Sequence, residues 1–377
     1  MTIKTINRVV QYSGFIVGRD VIYMIKIKLA LVDSDEIYLK RITKLLNSKF
    51  QNQIDIYSFS DGLTIADEVR EKKINVLIAT QDIEINTDKL ADFCMFAYFT
   101  DSVSIASYKN KKSICKYQRV DLIYKQILGL YSEKLADKVR YKNINGKKSE
   151  ISLFVSGCDG AGSTTAAAAY ATYLAAKGKK TLFLNLKQFS DMNSIFTASG
   201  EGSFTDAIFA IKSHKVNMTL KLESIVKQSR EGVYFYDTCR NALDYTEIKV
   251  DELKILLDEM SSSFGYDNIV IVTDFYLSGI LLLLLEYSSS IVFVSDTNKI
   301  SQIQLGKKCE AIRSLEKRKK INISDKMMLI LNKSSNKGMI KTELPVIGIQ
   351  AKLKSADAGE IVKEISKSGM FDKICVH

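Results

Sequence analysis

The chain has 377 residues, 46% of them hydrophobic, and a formal net charge of +11. That length exceeds one ordinary core and predicts two domains, and the apolar fraction excludes a disordered chain. The charge admits an acidic partner such as nucleic acid, anionic lipid or nucleotide, but lysines spread over many segments more often mark a solvated surface.

The six cysteines, Cys94, Cys115, Cys158, Cys239, Cys309 and Cys375, have no C-x-x-C spacing and do not cluster with the two histidines, His214 and His377. Reduced thiols in a cytoplasmic protein, without a zinc site, are expected. No signal peptide opens the chain, and the leucine-rich apolar run, residues 280–285, is closed by Glu286. It is too short to cross a bilayer, so a soluble protein touching membrane only through partners is expected.

Residues 1–23 carry weak periodicity and read as an N-terminal arm or an over-extended start, since Met24 directly precedes a clean strand. From Met24 to residue 131, strands and helices alternate: IKLALV, EIYLKRITKLLNSKF, IDIYSF, DGLTIADEVREKK, INVLIA, CMFAYFT, SICKY and VDLIYKQILGLYSEKL. The alternation predicts a doubly wound parallel sheet of about five strands in flavodoxin-like order. It resembles the receiver domain of response regulators, which needs acidic residues after strand one, a phosphoacceptor aspartate after strand three, a hydroxyl after strand four and a lysine after strand five. Asp33, Asp35 and Glu36 fit the acidic cluster, Thr100 the hydroxyl and Lys116 the lysine. The acceptor position is most simply Thr80; Asp82 can serve only if the strand register slips by two. A phosphorylation-independent docking or dimerisation module is therefore expected. Residues 132–149 turn polar and lysine-rich, with Asn145-Gly146 as a turn signal, and read as a linker to a second domain at 150–377.

The second domain opens on ISLFVSGCDGAGSTT, residues 151–165, an apolar strand running into a glycine-rich loop and an alanine-rich helix. The pattern G-x-x-x-x-G-K-[ST] uses glycines to turn backbone N–H groups onto phosphate oxygens, a lysine for the outer phosphates and a hydroxyl for Mg²⁺. Gly157 and Gly162 hold the spacing, Gly160 lies between them and Thr164 supplies the hydroxyl, but Ser163 stands at the lysine position. The helix ends at Gly178, and KKTLFLNL follows as a buried strand, completing a βαβ unit whose helix N-terminus faces an anion. Asp191 is expected to cap a helix after Ser190.

This layout resembles the MinD and ParA family of P-loop ATPases, whose loop reads K-G-G-x-G-K-T-[ST]. Cys158 and Ser163 replace both lysines, and Asn185 and Lys187 stand where the family carries two aspartates. Val272 occupies the next aspartate position, with Asp274 two residues late, either a metal-directed carboxylate or a solvent-facing strand end. The resemblance implies an α/β chain of two doubly wound parallel-sheet domains, a flavodoxin-like receiver domain and a MinD-like P-loop NTPase domain. It implies ATP and Mg²⁺ held by Gly157, Asp159, Gly160, Ala161, Gly162, Ser163, Thr164, Thr165, Asn332 and Lys333, with Asn332 on the adenine. Thr164 and Asp274 would face the metal. Losing cations and carboxylates harms phosphoryl transfer more than binding, because backbone N–H groups persist; at most a weak ATPase is expected, with no catalytic residue assigned.

A receiver-like domain followed by an eroded MinD-like ATPase is the arrangement of the TadZ and CpaE proteins of tight-adherence (Flp) pilus assembly. That resemblance implies a cytoplasmic homodimer, often at a cell pole, that recruits pilus assembly proteins. The competing readings are a ParA-like partitioning ATPase using the basic stretch 307–326 on DNA, a receiver-gated response regulator, and a scaffold with an empty loop. Nucleic acid is not expected as a partner, because 307–326 reads more simply as a solvated helix of mixed charge.

Overall fold

The structure, a computed structural model, describes residues 14–16, 21–23, 26–133, 148–213, 217–334, 342–355 and 357–374. Most of the expected arm and linker, Met24, His214, Cys375 and His377 lie outside the described residues. The described chain divides into two compact units, one of residues up to 133 with 217–224, the other of 148–213 with 225–374. Each is an α/β sheet of mostly parallel strands.

A short antiparallel pair, β1 (Gly14–Ile16) and β2 (Val21–Tyr23), precedes the first sheet. Its elements are β3 (Ile27–Val32), α1 (Glu36–Phe50), β4 (Ile54–Phe59), α2 (Ile65–Lys72), β5 (Val76–Thr80), β6 (Met95–Thr100), β7 (Ser107–Tyr108), β8 (Lys111–Cys115) and α3 (Val120–Ser132). The strand order β4-β3-β5-β6-β8-β7 is parallel except at β7, so β3 to β6 and β8 have the flavodoxin-like order expected from the alternation. Period-two projection sends Leu29, Leu31, Val76 and Ile78 to one face, where they meet Leu39, Ile42 and Leu46 of α1 and Ile123 and Ile127 of α3. Ala30, Val32, Leu77 and Ala79 face the other way, onto Ile65 and Val69 of α2. Both faces are thus covered by helices, which is why the strands read as continuous apolar runs.

The second unit is built from β9 (Glu150–Ser156), α4 (Ser163–Ala176), β10 (Thr181–Asn185), α5 (Phe204–Ser213), β11 (Lys227–Gln228), β12 (Tyr234–Phe235), α7 (Val250–Ser263, the intervening α6 being Met218–Ile225), β13 (Asn268–Thr273), α8 (Gly279–Tyr287), β14 (Ser290–Ser295), α9 (Lys299–Lys319), β15 (Met327–Ser334), β16 (Val346–Ala351) and α10 (Ala358–Ser366). Its order is β11-β12-β10-β13-β9-β14-β15-β16, antiparallel only at β11. The strand carrying the glycine loop is therefore central. Residues Ala166–Leu174 of α4 are buried all round, since a helix lying on a sheet and covered by another helix has no wet face. Its run of alanines lets the backbone approach β13 and β10 closely, while Tyr170 and Tyr173 fill the space towards Phe371.

Two features depart from the sequence-based expectations. Residues 217–224, which include most of α6, belong to the first unit: Leu220 joins the apolar cluster of α1 and α3, and Asn217 N donates to Ser132 O at 3.1 Å. The expected helix after Ser190 is absent. Asp191 Oδ1 accepts from Asn193 N at 2.9 Å and closes a turn instead. The chain bends there because Met192 and Phe196 plug fully into the core beside Phe183 and Phe235.

Candidate functional site

The loop between β9 and α4 is shaped by its glycines. Gly157 N donates to Val294 O at 2.7 Å, and a Cβ there would stand 2.9 Å from Ser295 Cβ, so only glycine permits that approach. Gly162 has φ +87°, the left-handed region that side chains resist. A Cβ on it would meet Asn332 Nδ2 at 2.5 Å. Gly162 is also the N-cap of α4 and provides no side-chain cap. The leading N–H groups of a helix have no intrahelical acceptor, so an uncapped terminus behind a glycine loop suits an anion.

The expected site residues gather around this loop, although not all in the expected roles. Asp159 and Gly160 are exposed on its crest, Thr164 and Thr165 are half-buried in the first turn of α4, and Ala161 and Ser163 are buried. Asn332 is buried at the end of β15 and donates through Nδ2 to Ala161 O at 2.8 Å. Lys333 Nζ donates to Gly160 O at 2.7 Å. Both residues therefore brace the loop. Cys158, at the early lysine position, is buried and accepts a long contact from Ser295 Oγ at 3.7 Å.

Ser163 is not left alone at the late lysine position. Its Oγ lies 2.7 Å from Ser156 Oγ and accepts from Lys187 Nζ at 3.0 Å. The same ammonium pairs with Asp274 Oδ1 at 3.1 Å. Asn185 is held by three hydrogen bonds: its Oδ1 accepts from Lys187 N at 3.0 Å, its Nδ2 donates to Ser190 Oγ at 3.0 Å, and its carbonyl accepts from Tyr245 OH at 2.8 Å. The turn after β10 is fixed by this network.

A second ammonium, Lys308 on α9, donates to Ser156 O at 2.8 Å. Burial, and to a smaller degree the Lys187 charge, pull Lys308 below the ordinary lysine range, against the opposing influence of Asp159 and Asp274. Sequence reasoning read Lys187 only as a lost aspartate and Lys308 as part of a solvated helix. No signal in composition identifies either, because each acts across the sheet from a distant element. Among the described residues no group of three or more His, Cys, Asp or Glu side chains is arranged to hold a metal.

The first unit has its own polar pocket at the carboxyl ends of β3, β5, β6 and β8. Asp33 is buried, and its Oδ2 lies 2.6 Å from Lys116 Nζ, with side-chain exposures of 2% and 9%. Lys116 Nζ also stands 4.6 Å from the Tyr38 ring centroid. Asp35 is spent on capping α1, accepting from Tyr38 N at 3.0 Å, and Glu36 pairs with Lys40. Thr80 ends β5 and is buried; Thr100 ends β6, with Oγ1 donating to Ser102 O at 3.3 Å. Asp82 lies beyond the strand and accepts from Ser34 Oγ at 2.8 Å. The nearby Thr80 hydroxyl and then the Ser34 hydroxyl, with the Lys116 charge adding, hold its carboxyl below the usual range. Asp33, Thr80, Asp82, Thr100 and Lys116 thus converge, with a hydroxyl at the strand end and the lysine committed to Asp33.

Fold and sites define a two-unit α/β protein, a receiver-like unit and a unit with a glycine-rich loop between a central parallel strand and a helix. Residues 25–132 match the family model described as TadZ-like, receiver domain. The second unit is similar in fold to a ParA family ATPase from Chlorobium tepidum, with 16% identity, TM-score 0.50, and coverage of 60% of this chain and 96% of that one. A plasmid partition protein from Borrelia burgdorferi (20% identity, TM-score 0.45, 60% and 99% covered) and the septum site-determining protein MinD with Mg-ADP from Pyrococcus horikoshii (13%, 0.43, 58% and 94%) are further matches. No curated protein matches the chain. A TadZ-like receiver match followed by a fold similar to that ATPase agrees with the two-domain order that the sequence resembles.

Proposed function

We propose that this chain is an ATP-binding assembly and localisation factor of the tight-adherence (Flp) pilus type, holding nucleotide as a structural or dimerisation ligand with little or no hydrolysis. The observation that carries this reading is the order of the units: a match to the TadZ-like receiver model stands ahead of a P-loop fold. The loop fits phosphate, with φ-positive Gly160 and Gly162, an uncapped helix terminus and two ammonium groups within reach. ATP would lie across residues 157–165, with Thr164 directed at Mg²⁺ and Asn332 and Lys333 beside the base. Mg²⁺ would neutralise phosphate charge.

Hydrolysis has little support from the side chains. The strand end that would orient an attacking water carries Val272, and the Asp274 carboxylate, two residues further on, is 66% exposed. Positioned charges carry most of phosphoryl-transfer catalysis, so turnover is slow while binding persists. A homodimer with cytoplasmic, polar placement and pilus assembly proteins as partners follows from the same reading. Sedimentation velocity on the full chain tests it: MgATP should shift monomer to dimer, and an unchanged sedimentation coefficient at millimolar MgATP would remove the dimerisation role.

A further inference from the structure

We propose that Lys187 supplies to the phosphate cradle the ammonium that Ser163 cannot, so that the cation of the loop has moved from the first residue of α4 to the turn after β10. The proposal rests on the reading of residues 157–165 as an ATP site.

A P-loop lysine begins at the helix N-terminus and reaches the outer phosphates. Ser163 occupies that starting point, is 1% exposed, and points its hydroxyl at Ser156. Lys187 approaches from the other direction. Its strand, β10, is separated from β9 by β13, and the long side chain crosses that gap to bring Nζ within 3.0 Å of Ser163 Oγ. The charge of a loop lysine is thereby delivered next to the position where the lysine would have been rooted.

The ammonium is also held in place. Its side chain is 15% exposed, and its backbone is fixed by Asn185, which is itself tied to Ser190 and Tyr245. A cation with restricted freedom loses little further entropy on meeting an anion. Its other partner, Asp274, is 66% exposed, and a screened carboxylate holds a lysine weakly, so phosphate oxygens compete with it effectively. The Lys187 charge also acts on Lys308, and a polyanion that meets both ammonium groups relieves that repulsion. Asn185 and Lys187, read along the chain as two lost carboxylates, act together as a turn-fixing amide and a relocated cation.

Calorimetric titration of MgATP into the full chain tests this by moving the charge back. Wild type binds; Lys187→Met, which keeps the buried stem, should bind about ten- to a hundredfold more weakly, the loss of one charge-assisted contact. Adding Ser163→Lys to Lys187→Met should restore most of that affinity. Equal affinity of Lys187→Met and wild type overturns the proposal while leaving the ATP reading intact. Weakened binding that Ser163→Lys fails to restore also overturns it, because Lys187 would then serve only the shape of the loop. Absence of binding by wild type overturns both. Circular dichroism and the thermal midpoint of the ligand-free variants check folding, and Lys187→Gln carries the same test if the methionine variant does not fold.

Discussion

Replacing Lys116 by methionine strands the Asp33 carboxylate in the first unit. The two groups are 2.6 Å apart and almost wholly buried, at 9% and 2% exposure, so little solvent screening discounts their interaction. Removing one partner of a buried pair costs about 3–5 kcal/mol, because the remaining charge has no compensation. Replacing both with neutral groups is close to neutral by the same reasoning, so Asp33→Asn with Lys116→Met should recover most of the loss. Hydrogen exchange read by mass spectrometry suits a chain of two units, since it reports each segment separately. Exchange of the core amides of β3, β5 and β6 should accelerate by about two to three and a half orders of magnitude in Lys116→Met. Those of β9, β13 and β14 should hold their rates. Acceleration of less than about tenfold would mean that Asp33 finds other compensation, and the account of Lys116 as a structural counter-ion would be wrong.

Gly162→Ala should cost roughly 2–4 kcal/mol, combining left-handed strain with loss of the Asn332 to Ala161 hydrogen bond, whereas Gly160→Ala, whose Cβ meets nothing within 4 Å, should cost only about 1–2; thermal denaturation compares them. Asp82 has a lowered folded-state pKa, so its contribution to stability is present above its unfolded pKa near 4. It is lost as pH falls through the folded value, and Asp82→Asn should flatten the acid limb of stability against pH. Burial pushes the Cys239 thiol up to about 11, which leaves about a hundredfold less thiolate at pH 8 than an unshifted thiol and should slow its alkylation correspondingly in site-resolved mass spectrometry.

Much of the fold was legible because buried strands and helices in alternation leave strong local patterns. EIYLKRITKLLNSKF coincides with α1 and IDIYSF with β4. The strands of two residues, β7, β11 and β12, were not legible: too short for periodicity, they exist only through pairing. The placement of Leu220 in the first unit could not be read either, since an apolar helix face does not say which body it covers. At the candidate sites the glycine spacing marked the loop, but side-chain reach across a sheet left no trace in the order of residues. Lys187 therefore looked like an erosion of chemistry although its Nζ contacts Ser163. Lys308, amid the mixed charges of α9, looked solvated although it reaches the carbonyl of Ser156.

The most direct measurement of the central claim is calorimetry of the full chain with MgATP, paired with phosphate release from the same sample. Saturable binding at or below millimolar ATP, with turnover far below the roughly 1 s⁻¹ at the low end of ordinary enzymes, is the predicted result. No heat of binding at millimolar MgATP, or phosphate release at about 1 s⁻¹ or faster, would contradict a cradle kept for binding after its catalytic groups have gone.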